Sequence, residues 1–252
     1  MQITEHVDWL SITVMDKLDK LPSWAGQSKV LDRGGMGYDT CRLFSTGIRL
    51  FSSSEVDHKH IQMSAESLWY VGHDNALDYA LWLADNRQAR VTRVDLAKTV
   101  YSEQGAPYTP SQCLSQMESG KAVTRAKKYP FTRDELGGET LNIGGRTSRK
   151  FMRIYDKGID ALKKGDLILA TEQPGQRIRA ELEYKDKDTG SQVIRDIASG
   201  SRSIGGTIKS VVDFPELDGW QQVMNGAAEP LPEKPRPLTD TRKWLHDSVL
   251  PA

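Results

Sequence analysis

The stretch LNIGGRTSRKFMRIYDK, Leu141 to Lys157, decides how this chain is read. Gly144 and Gly145 punctuate it as a turn, and the alternating run that follows predicts the second strand of a hairpin. On a strand, Phe151, Arg153 and Tyr155 share one face, and Met152 and Ile154 share the other. Arg146, Arg149, Lys150 and Arg153 fall within eight residues of one another. A phenol is thereby set beside a guanidinium on a face rich in positive charge. Those are the parts needed to hold a phosphodiester and attack it. The same pattern also describes an ordinary sheet tyrosine among solvated basic residues, and spacing alone does not separate the two.

Working outward, further strands are expected over Asp8 to Val14 (DWLSITV), Leu43 to Phe51, His58 to Met63, Val91 to Val100 (VTRVDLAKTV) and Arg177 to Lys185 (RIRAELEYK). Gly34 to Tyr38 reads as a glycine-rich turn. Helices are expected from a cap at Asp74 or Asn75 to about Asn86, from Pro110 to Gly120, ending near Lys164, and from Asp188 to Ala198. Strands joined by short hairpins, with helices between groups of them, predict an α+β domain: a largely antiparallel central sheet flanked by helices. Beyond Asp213 the composition changes, and Pro215, Pro230, Pro232, Pro235 and Pro237 break the patterning. A domain over 1–212 and an appendage over 213–252 are therefore expected. The appendage reads as a proline-rich connector leading to an amphipathic segment from Thr239 that carries Trp244, Leu245 and Val249.

The 252 residues, 38% hydrophobic and 27% charged, are enough to bury a core without staples. Cys41 and Cys113 do not make a disulfide framework and fit a reducing cytoplasm. No apolar run has the length of a membrane span, and the N-terminus lacks a basic region followed by an apolar one, so a soluble cytoplasmic protein without membrane contact is expected. The 34 basic and 34 acidic residues cancel, whereas a DNA-coating protein would be basic overall. Charge is instead local: Lys121, Arg125, Lys127 and Lys128 form one cluster, and Arg146 to Arg153 another.

Asp95 interrupts the strand VTRVDLAKTV, where a lone carboxylate is out of character. Arg93, Asp95 and Ala97 share a face opposite Val94 and Leu96, and Glu181 shares one with Arg179 and Glu183. Acidic residues projecting from neighbouring strands make a hard oxygen site suited to magnesium or manganese. The competing reading is a set of cross-strand ion pairs on a solvent face, Arg93 with Asp95 and Arg179 with Glu181 or Glu183. His58 and His60, separated by Lys59, also share a strand face.

Taken in order, DWLSITV, HIQMSAES, TRVDLA, GGETLNIGGRTSRKFMRIYDKG, RAELEYK and the tail TDTRKWLHDSVLPA resemble the replication initiation factor (Rep_trans) family. That family includes rolling-circle initiators of plasmids and filamentous phages and is related to relaxases of conjugative elements. The resemblance spans nearly the whole chain, and the tyrosine block is its most specific part. It implies a metal-dependent, strand-specific DNA endonuclease that nicks and rejoins, with Tyr155 as nucleophile, a 5′-phosphotyrosyl intermediate and a 3′-hydroxyl that primes replication. It implies Asp95 and Glu181, with Asp8 from the first strand, as positions of a Mg2+ or Mn2+ site. On this reading Arg146, Arg149, Lys150, Arg153, Lys157 and Arg93 contact phosphate. Origin DNA, single-stranded or extruded as a cruciform, is the implied partner, together with a host helicase and a second copy of the chain. Two alternatives belong to the same resemblance, a relaxase acting at a transfer origin and a catalytically silent DNA-binding protein of the same fold. Where many members carry another acid after the Asp95 position this chain has Thr99 and Val100, which bears on the ligand set. His58-Lys59-His60 is similar to the His-hydrophobic-His metal motif of other rolling-circle nucleases, but Lys59 is a poor fit to its apolar centre. At most one histidine, His60, is expected to contribute. The family tail usually continues past the position of Ala252, so the chain is expected to be a nuclease domain cut from a longer protein.

Overall fold

A computed structural model describes residues 1–15, 18, 20–165 and 172–233. The chain opens with β1 (Gln2–Val14), a 3-10 turn (Ser23–Ala25), β2 (Ser28–Leu31), β3 (Thr40–Phe44), β4 (Arg49–Ser52) and β5 (Lys59–Ser64). Two helices, α1 (Ala65–Val71) and α2 (His73–Asn86), lead into β6 (Ala89–Tyr101), then α3 (Pro110–Glu118), β7 (Val123–Thr124), β8 (Phe131–Arg133) and β9 (Glu139–Ile143). The tyrosine strand β10 (Lys150–Asp156) runs into α4 (Lys157–Lys163). After it come β11 (Arg177–Tyr184), α5 (Gly190–Ala198), α6 (Ile204–Lys209), β12 (Val212–Asp213) and α7 (Asp218–Met224).

Ten strands form one sheet in the order β2-β3-β4-β5-β1-β6-β11-β10-β9-β8, and every pairing in it is antiparallel. The expected α+β class with a large antiparallel sheet is thus what the chain adopts. Alternation does most of the work. Val94, Leu96, Met152, Ile154, Ala180 and Leu182 point to one face and are buried in the main core beneath the helices, which supply Leu77, Leu83, Val193 and Ile208 among others. At about 25 cal/mol per Å2 of apolar surface removed from water, that face supplies most of the folding drive.

Three local expectations need correction. Leu43 to Phe51 is two strands, because Gly47 takes the left-handed region (φ 83°) and closes a β3–β4 hairpin. The first strand begins well before Asp8. Residues 213–231, assigned by their prolines to an appendage, supply Phe214, Trp220, Val223, Met224 and Leu231 to the main core. Pro235, Pro237 and the segment from Thr239 lie outside the described residues.

The central strand β1 departs from regular pairing with β6 at two places, between Val7 and Trp9 and between Ser11 and Ile12, and the first of them shapes the polar face. Val7 faces Leu96 and Trp9 faces Asp95, so Asp8 is the extra residue of a β-bulge. A bulge re-aims side chains locally. Here Asp8 and Trp9 both serve the polar face, and Leu10 returns to the core.

Candidate active site

The polar face of β10, β11, β6 and β1 carries the site. In β10, Arg153 pairs in register with Glu181 and Tyr155 with Arg179. In β11, Glu181 lies opposite Ala97 and Glu183 opposite Asp95. Tyr155, Glu181, Glu183, Asp95 and Arg93 therefore project from three adjacent strands onto one surface. Asp156, the last residue of β10, caps α4 by accepting from the Ile159 N–H at 3.0 Å. That cap sets the helix beside the tyrosine and brings the Lys157 ammonium to 5.9 Å from its ring centroid.

Tyr155 is only 6% exposed. Its hydroxyl donates to Glu181 Oε2 at 3.1 Å, while Arg153 donates to Glu181 Oε1 at 2.6 Å. The same guanidinium lies 5.1 Å from the Tyr155 ring centroid. Burial, then the Glu181 charge, hold the phenol above its ordinary range, while Arg179 and Arg153 act the other way. A resting phenol here keeps its proton, and the carboxylate that would take it is already hydrogen-bonded.

The second cluster is acidic. Asp95 and Glu181 are 3% and 5% exposed, so these charges are not on a solvent face. Arg93 clasps Asp95 through two nitrogens at 2.8 and 2.6 Å and reaches Glu183 at 2.8 Å. Burial pushes the Asp95 carboxyl up to about 7; Arg93 pulls it down, and Glu181 and Glu183 push with the burial. The expected pairing of Arg179 with Glu181 or Glu183 does not occur. Arg179 donates to Asp8 at 2.9 Å and to Thr99 Oγ1 at 2.9 Å instead, because the bulge brings Asp8 onto this face. Burial raises the Asp8 carboxyl, but a hydrogen bond from His6, with Arg179 and Lys157 nearby, brings it down to about 2.

The donor set suits a hard divalent ion in its chemistry. Asp95 and Glu181 offer buried carboxylate oxygens and Glu183 a partly buried one, whose mutual repulsion a dication would relieve. Among the described residues, however, no three His, Cys, Asp or Glu side chains are gathered closely enough to hold one, and Arg93 and Arg153 balance the charge. His60 lies further out on the face, four strands from the tyrosine strand, where Nδ1 meets Thr13 Oγ1 at 3.0 Å.

The basic residues divide by partner. Arg146 lies over Phe151, 5.5 Å from its centroid. Arg149 is taken up by Tyr184, Thr189, Asp186 and the Pro232 carbonyl, as a tie between the hairpin, α5 and the 230–232 segment. Lys150 is half-buried, and burial lowers its ammonium, helped by Arg149 and Arg125. Lys121 pairs with Glu216 at 2.6 Å. The residues that reading the sequence missed are Trp9, whose ring stacks on Arg93 at 5.0 Å, and Thr99 and His6, which steady Arg179 and Asp8. Their only local signal was the alternation that puts them on the polar face.

The sequence profile described as Replication initiation factor matches residues 89–252. The chain belongs to that family. Its fold is similar to that of the rolling circle replication initiator protein from Geobacillus stearothermophilus, with a TM-score of 0.64 over 92% of this chain and 93% of that one. At 16% identity the likeness is one of fold. Among curated proteins nothing matches at the level of sequence. No helix among the described residues is long and apolar enough to cross a membrane.

Proposed function

We propose that this chain initiates rolling-circle replication by nicking one strand of an origin, with Tyr155 as the nucleophile. The observation that carries the reading is the Tyr155–Glu181–Arg153 contact: a buried phenol donating to one carboxylate oxygen while a guanidinium holds the other. In the attack the Tyr155 oxygen forms a bond to phosphorus and its proton passes to Glu181 Oε2. The bond to the 3′ oxygen breaks, and that oxygen leaves as a 3′-hydroxyl after taking up a proton. The strand's 5′ phosphate stays on the tyrosine, so the ester is stored for rejoining. Arg153 and Lys157, both beside the phenol ring, would meet the phosphate on this reading.

Of the residues present, Asp95 and Glu181 would hold a magnesium or manganese ion if Arg93 and Arg153 released their carboxylates, while Asp8 is engaged by Arg179 on the same face. Such an ion, when bound, would polarise a phosphoryl oxygen and offset the charge built up in the attack. Family membership supports origin DNA as the partner.

Incubating the protein with labelled origin oligonucleotide and Mg2+ or Mn2+ tests the reading. Wild type is expected to give a cleaved, covalently attached product, and Tyr155→Phe none. Asp95→Asn is expected to lose nicking while keeping DNA binding. Full nicking by Tyr155→Phe would overturn the assignment.

A further inference from the structure

The polar face does not end at Asp95. Trp9 stands opposite it on β1, half-buried, and its indole N–H donates to Ser11 Oγ at 2.8 Å. Ser11 is in register with Gln62 on β5, and Gln62 with Arg49 on β4. The Gln62 amide lies 2.8 Å from Met36 Sδ. Met36 belongs to a tight loop closed by reciprocal backbone hydrogen bonds between Gly35 and Tyr38, at 3.1 and 2.9 Å. The Tyr38 ring lies nearly parallel to His60, 6.1 Å between centroids, and close to Phe51. This loop is therefore folded onto the face that carries Tyr155, four strands away, a distance of about 19 Å at ~4.8 Å per strand.

The loop's composition is unusual for a plain turn. A β-carbon on Gly34 would sit 1.9 Å from the Tyr38 carbonyl oxygen, and Gly37 has φ +85°. Met36 also takes a left-handed conformation, φ 56°, which non-glycine residues seldom adopt. With glycine at 34, 35 and 37, the chain carries a long thioether at 36, where glycine would fit more easily, and leaves it 60% exposed. A thioether is flexible, polarisable and suited to packing against aromatic planes. Lys29, Arg33 and Arg49 are exposed, and Arg49 is in register with the Gln62 that meets Met36. Of the loop's two acids, Asp32 is exposed and Asp39 is engaged by Ser53 and Ser54.

We propose that this face is a track for single-stranded DNA, running from Tyr155 past Arg93 and Trp9 to the Met36 loop. Bases stack on Trp9 and Tyr38, and Met36 wedges between two bases where the strand leaves the sheet. Aromatic platforms alternating with cations are the general solution for gripping a single strand, and an apolar tip inserted between bases is a known wedge. The track rests on the nicking reading for its orientation but not on its chemistry.

The test uses the full chain carrying Tyr155→Phe, with fluorescein-labelled oligothymidylate and, separately, a blunt duplex of the same length, over a range of salt. Adding Met36→Ala, Met36→Gly or Trp9→Ala is expected to weaken oligothymidylate binding by about ten-fold each, with the salt dependence and duplex affinity unchanged. Arg49→Ala is expected to reduce the salt slope by about one. Met36→Gly, which relieves the backbone, should melt no lower than its parent and still bind more weakly. Unchanged oligothymidylate binding by Met36→Ala and Trp9→Ala, or an equal loss on duplex, would overturn the track. Adduct formation on origin DNA by the chain with Tyr155 intact is scored separately. An adduct without the binding losses sinks the track alone, and the binding losses without an adduct sink only the nicking reading.

Discussion

Two faces of the same three strands make the sharpest contrast in this molecule. On one side of β6, β10 and β11 stand Val94, Leu96, Ile154, Ala180 and Leu182, sealed under helices. On the other, one residue along in each strand, stand Asp95, Tyr155 and Glu181, also buried but charged or polar. Apolar burial is favourable wherever it occurs, whereas a buried charge costs free energy unless paired. The chain keeps that cost at Asp95, pushed up to about 7 even with Arg93 clasping it. One face is therefore built for stability, and the other retains groups that stability alone would not select.

The comparison breaks most visibly if neighbouring residues are swapped between roles. Leu182→Ala, on the sealed face, is expected to cost about 2–5 kcal/mol in chemical denaturation. Glu181→Gln, one residue before it, keeps size and a hydrogen-bond acceptor. It should cost less than the core truncation, about 1–2 kcal/mol for the weakened Arg153 pair, while slowing nicking by about a hundred-fold or more through loss of the proton acceptor. If Glu181→Gln destabilises as much as Leu182→Ala and nicks normally, the polar face is structural and the contrast is false.

A smaller effect concerns the far end of the polar face. Burial, then the neighbouring His58, lower the His60 ring to about 4, and no partner among the described residues meets its Nε2. A histidine whose folded pKa lies below its unfolded value of about 6.5 binds fewer protons when folded. Its contribution is fully present above about pH 6.5 and is lost as pH falls through about 4. Stability should drop by at most roughly 3.4 kcal/mol across that window, and His60→Gln should flatten that limb. A wild-type limb that is already flat would mean the ring is solvated and the face open there.

Much of this arrangement was legible in the sequence because period-2 alternation is local. VTRVDLA, RAELEYK and KFMRIYD each announce which residues share a face, and a carboxylate in mid-strand marks Asp95 as unusual. What alternation cannot give is which strands are neighbours and in what register. The partner of Arg179 was therefore misjudged, since the bulge at Asp8 depends on how β1 and β6 align along their length. The helices α6 and α7 were missed for a different reason. What allows them is tertiary: a β-carbon on Gly205 would fall 2.2 Å from the Met224 carbonyl oxygen, so glycine there permits α6 to lie against the end of α7. Glu183 was read only as an ion-pair partner of Arg179, whereas it shares Arg93 with Asp95.

On the proposed function one buried tyrosine, and no other, carries the strand. Tyr101 stands on the same face of β6 under Arg177, 4.6 Å from its ring centroid, and Tyr38 lies at the far wall. Both are therefore real competitors. Mapping the site of attachment decides among them: the protein is incubated with origin oligonucleotide and Mg2+ or Mn2+, digested with protease and nuclease, and the nucleotide-bearing peptide sequenced by mass spectrometry. A single modified residue, Tyr155, is expected. A nucleotide on Tyr101 or Tyr38, or an intact oligonucleotide with no modified peptide under conditions where DNA is bound, would contradict it.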